Sequence, residues 1–329
     1  MPSRESAGES ATYSELITSV MARLCDDLAS QELELRTDKS PEVICQMKLG
    51  CRRLSVALSV FEPQLSQRHA DDARSALKNL SRALGKTYEW DAPLQLLRQA
   101  HQNTASDSTR ATVEHLLRSL EKRRERARRK MTKAVQRIDF SRLLKVTARS
   151  MRHLSAGESD VTMQDLAWQA LEPRIARVVA SLPGDPTDVE LLWQARAIAQ
   201  KLRFTLELLQ PAFLSANPQL MKRATDLEQG LTRCAKQSAL ENHLVRAQTD
   251  LADHGYTTLA TGVTQLLGVL RGERSALFTT IRTLHAGIEA GDFHRLFMPG
   301  GAARPLPAVR PRKRHSGTNT EASPGTAPP

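Results

Sequence analysis

From Tyr13 to about residue 290 the apolar residues of this chain recur every three or four positions, and no stretch alternates apolar with polar as a strand would. A chain patterned this way can bury its apolar stripes only by packing helix on helix. Leu16, Val20, Leu24, Leu28 and Leu35 set the first stripe. Composition agrees: aromatic residues make up 4%, while Leu, Ala, Arg and Gln abound, which favours helices over sheets. The fold class expected is all-α.

Punctuation divides the pattern. Ser40 and Pro41 form a start signal, an N-cap followed by proline at the first helical position, and Glu62-Pro63 stops the helix they open. Helices are predicted at 13–35, 41–61, 68–84, 91–101, 107–137 and 139–154. A second series is predicted at 162–181, 187–210, 217–235, 238–253, 256–270 and 272–290. Between them, residues 155–160 read as a loop. The expected plan is a disordered N-terminus (1–11), a basic first helical bundle (12–155), a second bundle (156–298) and a disordered Pro-rich tail (299–329).

The two series resemble each other at an offset of 148 residues. The segment CQMKLGCRRLSVALSVFEP (45–63) lies over WQARAIAQKLRFTLELLQP (193–211), matching Gln46 with Gln194, Leu54 with Leu202, Leu58 with Leu206 and Pro63 with Pro211. Further on, LKNLSRALGK (77–86) lies over ATDLEQGLTR (224–233). The common order of basic helix, proline stop and Leu-paired helix points to an internal duplication.

Charge is distributed unevenly between the copies. The formal net charge is +11, yet residues 41–155 carry +13, residues 156–299 carry −2, residues 1–40 carry −4 and the tail carries +4. Charge gathered on one side costs self-repulsion and points to an anionic partner. Lys48, Arg52 and Arg53 stand in the first motif helix; Arg196, Lys201 and Arg203 stand in the second. Cations at one-turn intervals of about 5.4 Å suit successive anionic groups of an extended polymer, and arginine bonds phosphate oxygens in pairs. The segment 120–137 holds nine basic residues against Glu121 and Glu125. Among them Lys122, Arg126, Arg129, Lys130 and Lys133 share a face, where like charges cost a few tenths of a kcal/mol per pair unless an anion intervenes. Arg310-Pro311-Arg312-Lys313-Arg314 adds a basic cluster in the tail.

The run VICQMKLGCRRLSVALSVF (43–61) resembles the signature of the CHAD (histidine α-helical) domains, and LWQARAIAQKLRFTLELLQP (192–211) resembles that family's second copy. The resemblance implies two similar helical bundles related by a pseudo-twofold, with basic faces that bind inorganic polyphosphate. By position it assigns that role to Lys48, Arg52, Arg53, Arg196, Lys201 and Arg203. The family's two histidines are replaced by Cys45 and Trp193, and basic positions by Ser55 and Gln200. An Arg-Asp pair expected after Gly85 is absent, with Tyr88-Glu89 in its place.

Nothing in the sequence assembles a nucleophile, a general base or a metal site. The four cysteines lack CxxC spacing, the nine histidines form no ligand pattern, and Gly85-Lys86-Thr87 lacks the earlier glycine and the strand of a phosphate-binding loop. No cofactor is implied. The expectation is a non-catalytic, cytoplasmic polyanion-binding protein whose leading partner is inorganic polyphosphate, with polyphosphate granules as the corresponding location. A nucleic acid or an acidic protein is the alternative partner, and the sequence sets no oligomeric state. No stretch approaches the roughly 18 apolar residues of a membrane span.

Overall fold

The computed structural model describes residues 13–103, 107–152, 163–213, 218–288, 290–294 and 296. The expected disordered ends, the 155–160 loop and the 310–314 basic cluster lie outside them. Among the described residues the chain is all-α, with no strand. The helices are α1 (Tyr13–Thr37), α2 (Pro41–Val60), α3 (Gln67–Asn103), α4 (Asp107–Val135) and α5 (Phe140–Ser150), then α6 (Met163–Val179), α7 (Val189–Leu209), α8 (Pro218–Asp253), α9 (Thr257–Ala286) and α10 (Ala290–His294).

The duplication reaches into the caps. Ser40 accepts the amide of Val43 at 3.4 Å and starts α2; Asp188, 148 positions on, accepts the amide of Leu191 at 2.9 Å and starts α7. Such caps satisfy amides that the first turn leaves without partners. Both helices end at a 3-10 turn built on the matched prolines, Glu62–Gln64 and Gln210–Ala212. Arg52 donates to Gln200 Oε1 at 2.7 Å, and these two residues are themselves 148 apart. A residue that bonds its own counterpart lies beside the pseudo-twofold axis, as in a symmetric dimer interface. The central pair α2 and α7 therefore brackets that axis.

Six predicted helices are in fact three. The predicted pairs 68–84 and 91–101, 217–235 and 238–253, and 256–270 and 272–290 are the single helices α3, α8 and α9. α3 runs through Pro93 without ending, and Gly85, Lys86 and Thr87 fall inside it, where buried Thr87 donates to the Leu84 carbonyl at 3.1 Å. Each predicted break marks the passage of a long helix from one apolar cluster to another. Leu77, Leu80 and Leu84 of α3, Leu227 and Leu231 of α8, and Phe278 and Ile281 of α9 belong to the larger cluster. Leu94 and Leu97, Leu240 and Leu244, and Val263 and Leu267 of the same three helices belong to the smaller one, with Val113, Leu116 and Leu120 of α4. Both clusters draw on both halves of the sequence.

Where the long helices cross between clusters the buried residues are polar. Ser238, Gln237 and Arg274 are buried there, Arg274 donates to Ser238 Oγ at 3.3 Å, and the Glu241 carboxylate is held by Arg274 and, at 2.7 Å, by Arg271. The smaller cluster closes by a near contact of α4 and α9. A Cβ on Gly262 would stand 2.2 Å from Thr112 Oγ1 and 2.9 Å from its Cβ, and Thr112 is itself fully buried. At the tip of the α8–α9 hairpin, Gly255 takes φ +76°, a conformation that glycine adopts without strain.

Three outcomes follow. Gly262→Ala should lower stability by about 1–3 kcal/mol in urea unfolding because α4 must move outward. Gly268→Ala on the same helix, where an added Cβ meets nothing within 4 Å, should raise stability by up to about 1 kcal/mol. Burial alone would raise the Glu241 carboxyl, but the bonds from Arg271 and Arg274 outweigh it and hold it below the usual carboxylate range. Its contribution is full above the unfolded carboxylate value of about 4.3 and disappears as pH falls through the lower folded value. Glu241→Gln should therefore flatten the acid limb of the stability–pH curve in that window.

Candidate polyanion-binding site

Two of the three motif cations of α7, Arg196 and Arg203, do not face open solvent. Arg196 is 5% exposed; it donates to Thr232 Oγ1 at 2.9 Å, lies 3.8 Å from Glu228 and sits 5.4 Å over the Trp193 ring. Arg203 pairs with Glu207, stands 3.6 Å from Glu228 and lies 4.5 Å over Phe204. Glu228, itself 7% exposed, also accepts from Gln200 Nε2 and Thr232 Oγ1, both at 3.1 Å. The carboxylate thus gathers two guanidiniums and two neutral donors from α7 and α8. Lys201 alone of the three α7 cations is exposed, with no ion pair among the described residues.

On α2, Lys48 is buried, and Arg52 reaches across the axis to Gln200, which places it in the same chain of bonds as Glu228. Arg53 lies 3.5 Å from Glu207 and 5.3 Å over Phe204, so it too belongs to the charges drawn in by α7. Four of the six cations singled out in the motif helices, Arg52, Arg53, Arg196 and Arg203, therefore meet around the axis.

Glu207 and Glu228 were not among the candidate residues. Glu207 was within reach, because it stands four positions after Arg203 on one helical face. Glu228 comes from a different helix, and nothing local to it announces its partners. At the equivalent positions of the first copy stand Ser59 and Ser81. Ser59 Oγ accepts from Arg174 at 3.1 Å, and Ser81 bonds the Cys51 thiol. Two carboxylates of the second half thus have uncharged counterparts in the first.

α4 presents its cations outward. Lys122, Arg126, Arg129, Lys130 and Lys133 are all exposed. Arg129 and Arg128 bond Glu125 at 3.2 and 2.9 Å, and those bonds, Arg128 first, hold the Glu125 carboxyl below its usual range. Arg124 pairs with Asp91 at 2.5 Å and Arg123 lies 5.7 Å over Trp90. Lys122, Arg126, Lys130 and Lys133 have no ion pair among the described residues. Lys122, Arg126, Lys130 and Lys133 of α4, with Lys201 of α7, are therefore the candidate cations whose charge is not already answered from within.

The thiols offer no nucleophile at neutral pH in three of four cases. Burial pushes Cys25 and Cys234 up to about 11 and Cys51 to about 12. All four cysteines are free, and no group of three or more possible metal ligands occurs among the described residues. No helix among them is long and apolar enough to cross a membrane.

The family model of the CHAD domain matches residues 19–245, well over half of the sequence. The chain belongs to the CHAD domain family. Solved structures share its fold. The CHAD domain from the plant Ricinus communis superposes with a TM-score of 0.57 at 19% identity, covering 88% of this chain and 96% of that one. PptA from Streptomyces chartreusis gives a TM-score of 0.62 at 17% identity, covering 84% and 98%. No curated protein matches the sequence. Within this CHAD fold the axis-lining positions of the second copy are occupied by an internally neutralised cluster.

Removing the charge at the centre of that cluster should be costly. Glu228→Gln should destabilise the protein by about 3–5 kcal/mol in chemical unfolding, because Arg196 and Arg203 lose a buried counter-charge. A loss below 1 kcal/mol would mean that solvent, not Glu228, answers these cations.

Proposed function

We propose that this CHAD protein is a non-catalytic binder of inorganic polyphosphate, and that its principal contact surface is the outer face of α4. The observation that carries the reading is the contrast between exposed and internally answered cations. Lys122, Arg126, Lys130 and Lys133 follow one another at three- or four-residue spacing without an ion pair among the described residues, whereas Arg196 and Arg203 share Glu228 and Glu207. An extended anion laid along α4 would relieve the repulsion within the row and meet a cation at each turn. The family resemblance supports phosphate chemistry for that anion. Large exposed aromatics that could stack on bases are scarce: Tyr256, on α9's start, is the one aromatic among the large exposed apolar side chains described. In this role the protein would accompany polyphosphate granules.

The test is binding of the full chain to long-chain polyphosphate, single-stranded RNA and duplex DNA at two salt concentrations. Polyphosphate should bind tightest, with affinity falling steeply as salt rises. The combined Lys122→Gln, Arg126→Gln, Lys130→Gln and Lys133→Gln variant should lose at least about tenfold in polyphosphate affinity at low salt and show a shallower salt dependence. Equal affinity for all three polymers would overturn the assignment to polyphosphate. An undiminished affinity in the fourfold variant would overturn the assignment to α4.

A further inference from the structure

A second group of unanswered cations lies on α5 and the start of α3, outside the motif helices and α4. α5 begins at Asp139, whose side chain accepts the amide of Arg142 at 2.8 Å. Its inner face, Leu143, Val146, Thr147 and Ser150, is buried, and its outer face carries Arg142, Lys145 and Arg149. These three share a side by three- and four-residue spacing and span two turns, about 10 Å along the helix. The start of α3 is fastened beside them, the Ser66 amide donating to the Ser150 carbonyl at 2.9 Å. It contributes Arg68 and His69, and the two helices line an open hollow of about 490 Å³.

The charges in this cavity are unbalanced. Arg68, Arg142, Lys145 and Arg149 all line it, and none has an ion pair among the described residues. Two carboxylates also line it, Asp72 and the helix cap Asp139, so the four cations exceed the anions by two. His69 Nδ1 is tied to Ser66 Oγ at 3.0 Å, so the ring is held in place with Nε2 as its remaining polar atom. The scaffold does not require this arrangement. α10, the short helix that packs on α6 as α5 packs on α1, contains Asp292 and no Lys or Arg.

We propose that the α3–α5 cavity is a separate binding site for a short, multivalent phosphate anion of the tripolyphosphate class. Three guanidiniums and an ammonium converging on a concavity suit an anion with several charged oxygens, because each guanidinium can bond two of them. The concave shape and its size favour a small ligand over a duplex or a lipid surface. Only the phosphate chemistry of the ligand rests on the function proposed above; the site itself stands on the geometry of α3 and α5.

The experiment uses the full chain with isotope-labelled histidine, the His69 resonance being assigned from its loss in His69→Gln. Titration with tripolyphosphate should shift the His69 ring signals saturably, and the combined Arg142→Gln, Lys145→Gln and Arg149→Gln variant should lose that shift. Calorimetry should show at least a tenfold loss of tripolyphosphate affinity in the same variant, with long-chain polyphosphate still held through α4. ATP and vesicles containing anionic phospholipid serve as the other phosphate sources. ATP shifting His69 with the affinity of tripolyphosphate supports the site and widens its ligand to nucleotides. A silent His69 while long-chain polyphosphate binds overturns this proposal alone, as does a response to vesicles without one to tripolyphosphate. Failure of the parent chain to bind long-chain polyphosphate overturns the α4 reading, and His69 still decides the cavity.

Discussion

A carboxylate taken out of water costs several kcal/mol unless cations and donors surround it, and Glu228 meets that condition by drawing in Arg196, Arg203, Gln200 and Thr232. The arrangement ties α7 to α8. Through Gln200 it also reaches Arg52 on α2, across the pseudo-twofold axis. The centre of the molecule is thus held by polar bonds between the two copies as well as by the apolar residues of α2 and α7. The same bonds set what the centre can offer to a ligand: guanidiniums shared with a buried carboxylate have much of their charge answered from within.

This explains why the charge map is lopsided although the backbone is nearly duplicated. Ser59 and Ser81 stand where the second half has Glu207 and Glu228, and α5 carries Arg142, Lys145 and Arg149 where α10 carries Asp292. Net charges of +13 for residues 41–155 and −2 for residues 156–299 are the sum of such exchanges. The duplication preserved helix starts, proline stops and apolar stripes, which decide packing. Surface and network charges, which packing leaves free, diverged between the copies.

That division also governs what could be read from the amino-acid sequence. Ser40 with Pro41, and the matched Pro63 and Pro211, are local signals, and they mark helix boundaries where the structure has them. The three predicted helix breaks within α3, α8 and α9 fall where the apolar stripe changes from one cluster to the other. Around residues 85–90, 236–237 and 271 the stripe gives way to Thr87, Gln237 and Arg274, polar residues buried between two clusters. A backbone helix needs no apolar side chains to continue across such a layer, so the change of period signals a change of neighbour instead of an end. The pairing of Arg196 and Arg203 with Glu228 is beyond local reading altogether, because it joins residues whose only relation is tertiary.

The cations that remain outside the network obey a different balance. On an exposed helix, Coulomb repulsion between neighbouring cations is screened by water and salt, so each pair costs only tenths of a kcal/mol. A row such as Lys122, Arg126, Lys130 and Lys133 can therefore persist without carboxylates at little cost to folding. An approaching polyanion feels the whole row at once, and the release of its counterions grows with each contact. In the buried network the order of magnitudes is reversed: a single unanswered charge costs more than several exposed ones. A fold that buries Glu228 beside its central arginines and leaves its α4 and α5 cations in solvent therefore keeps the charges that hold it together apart from those exposed to water.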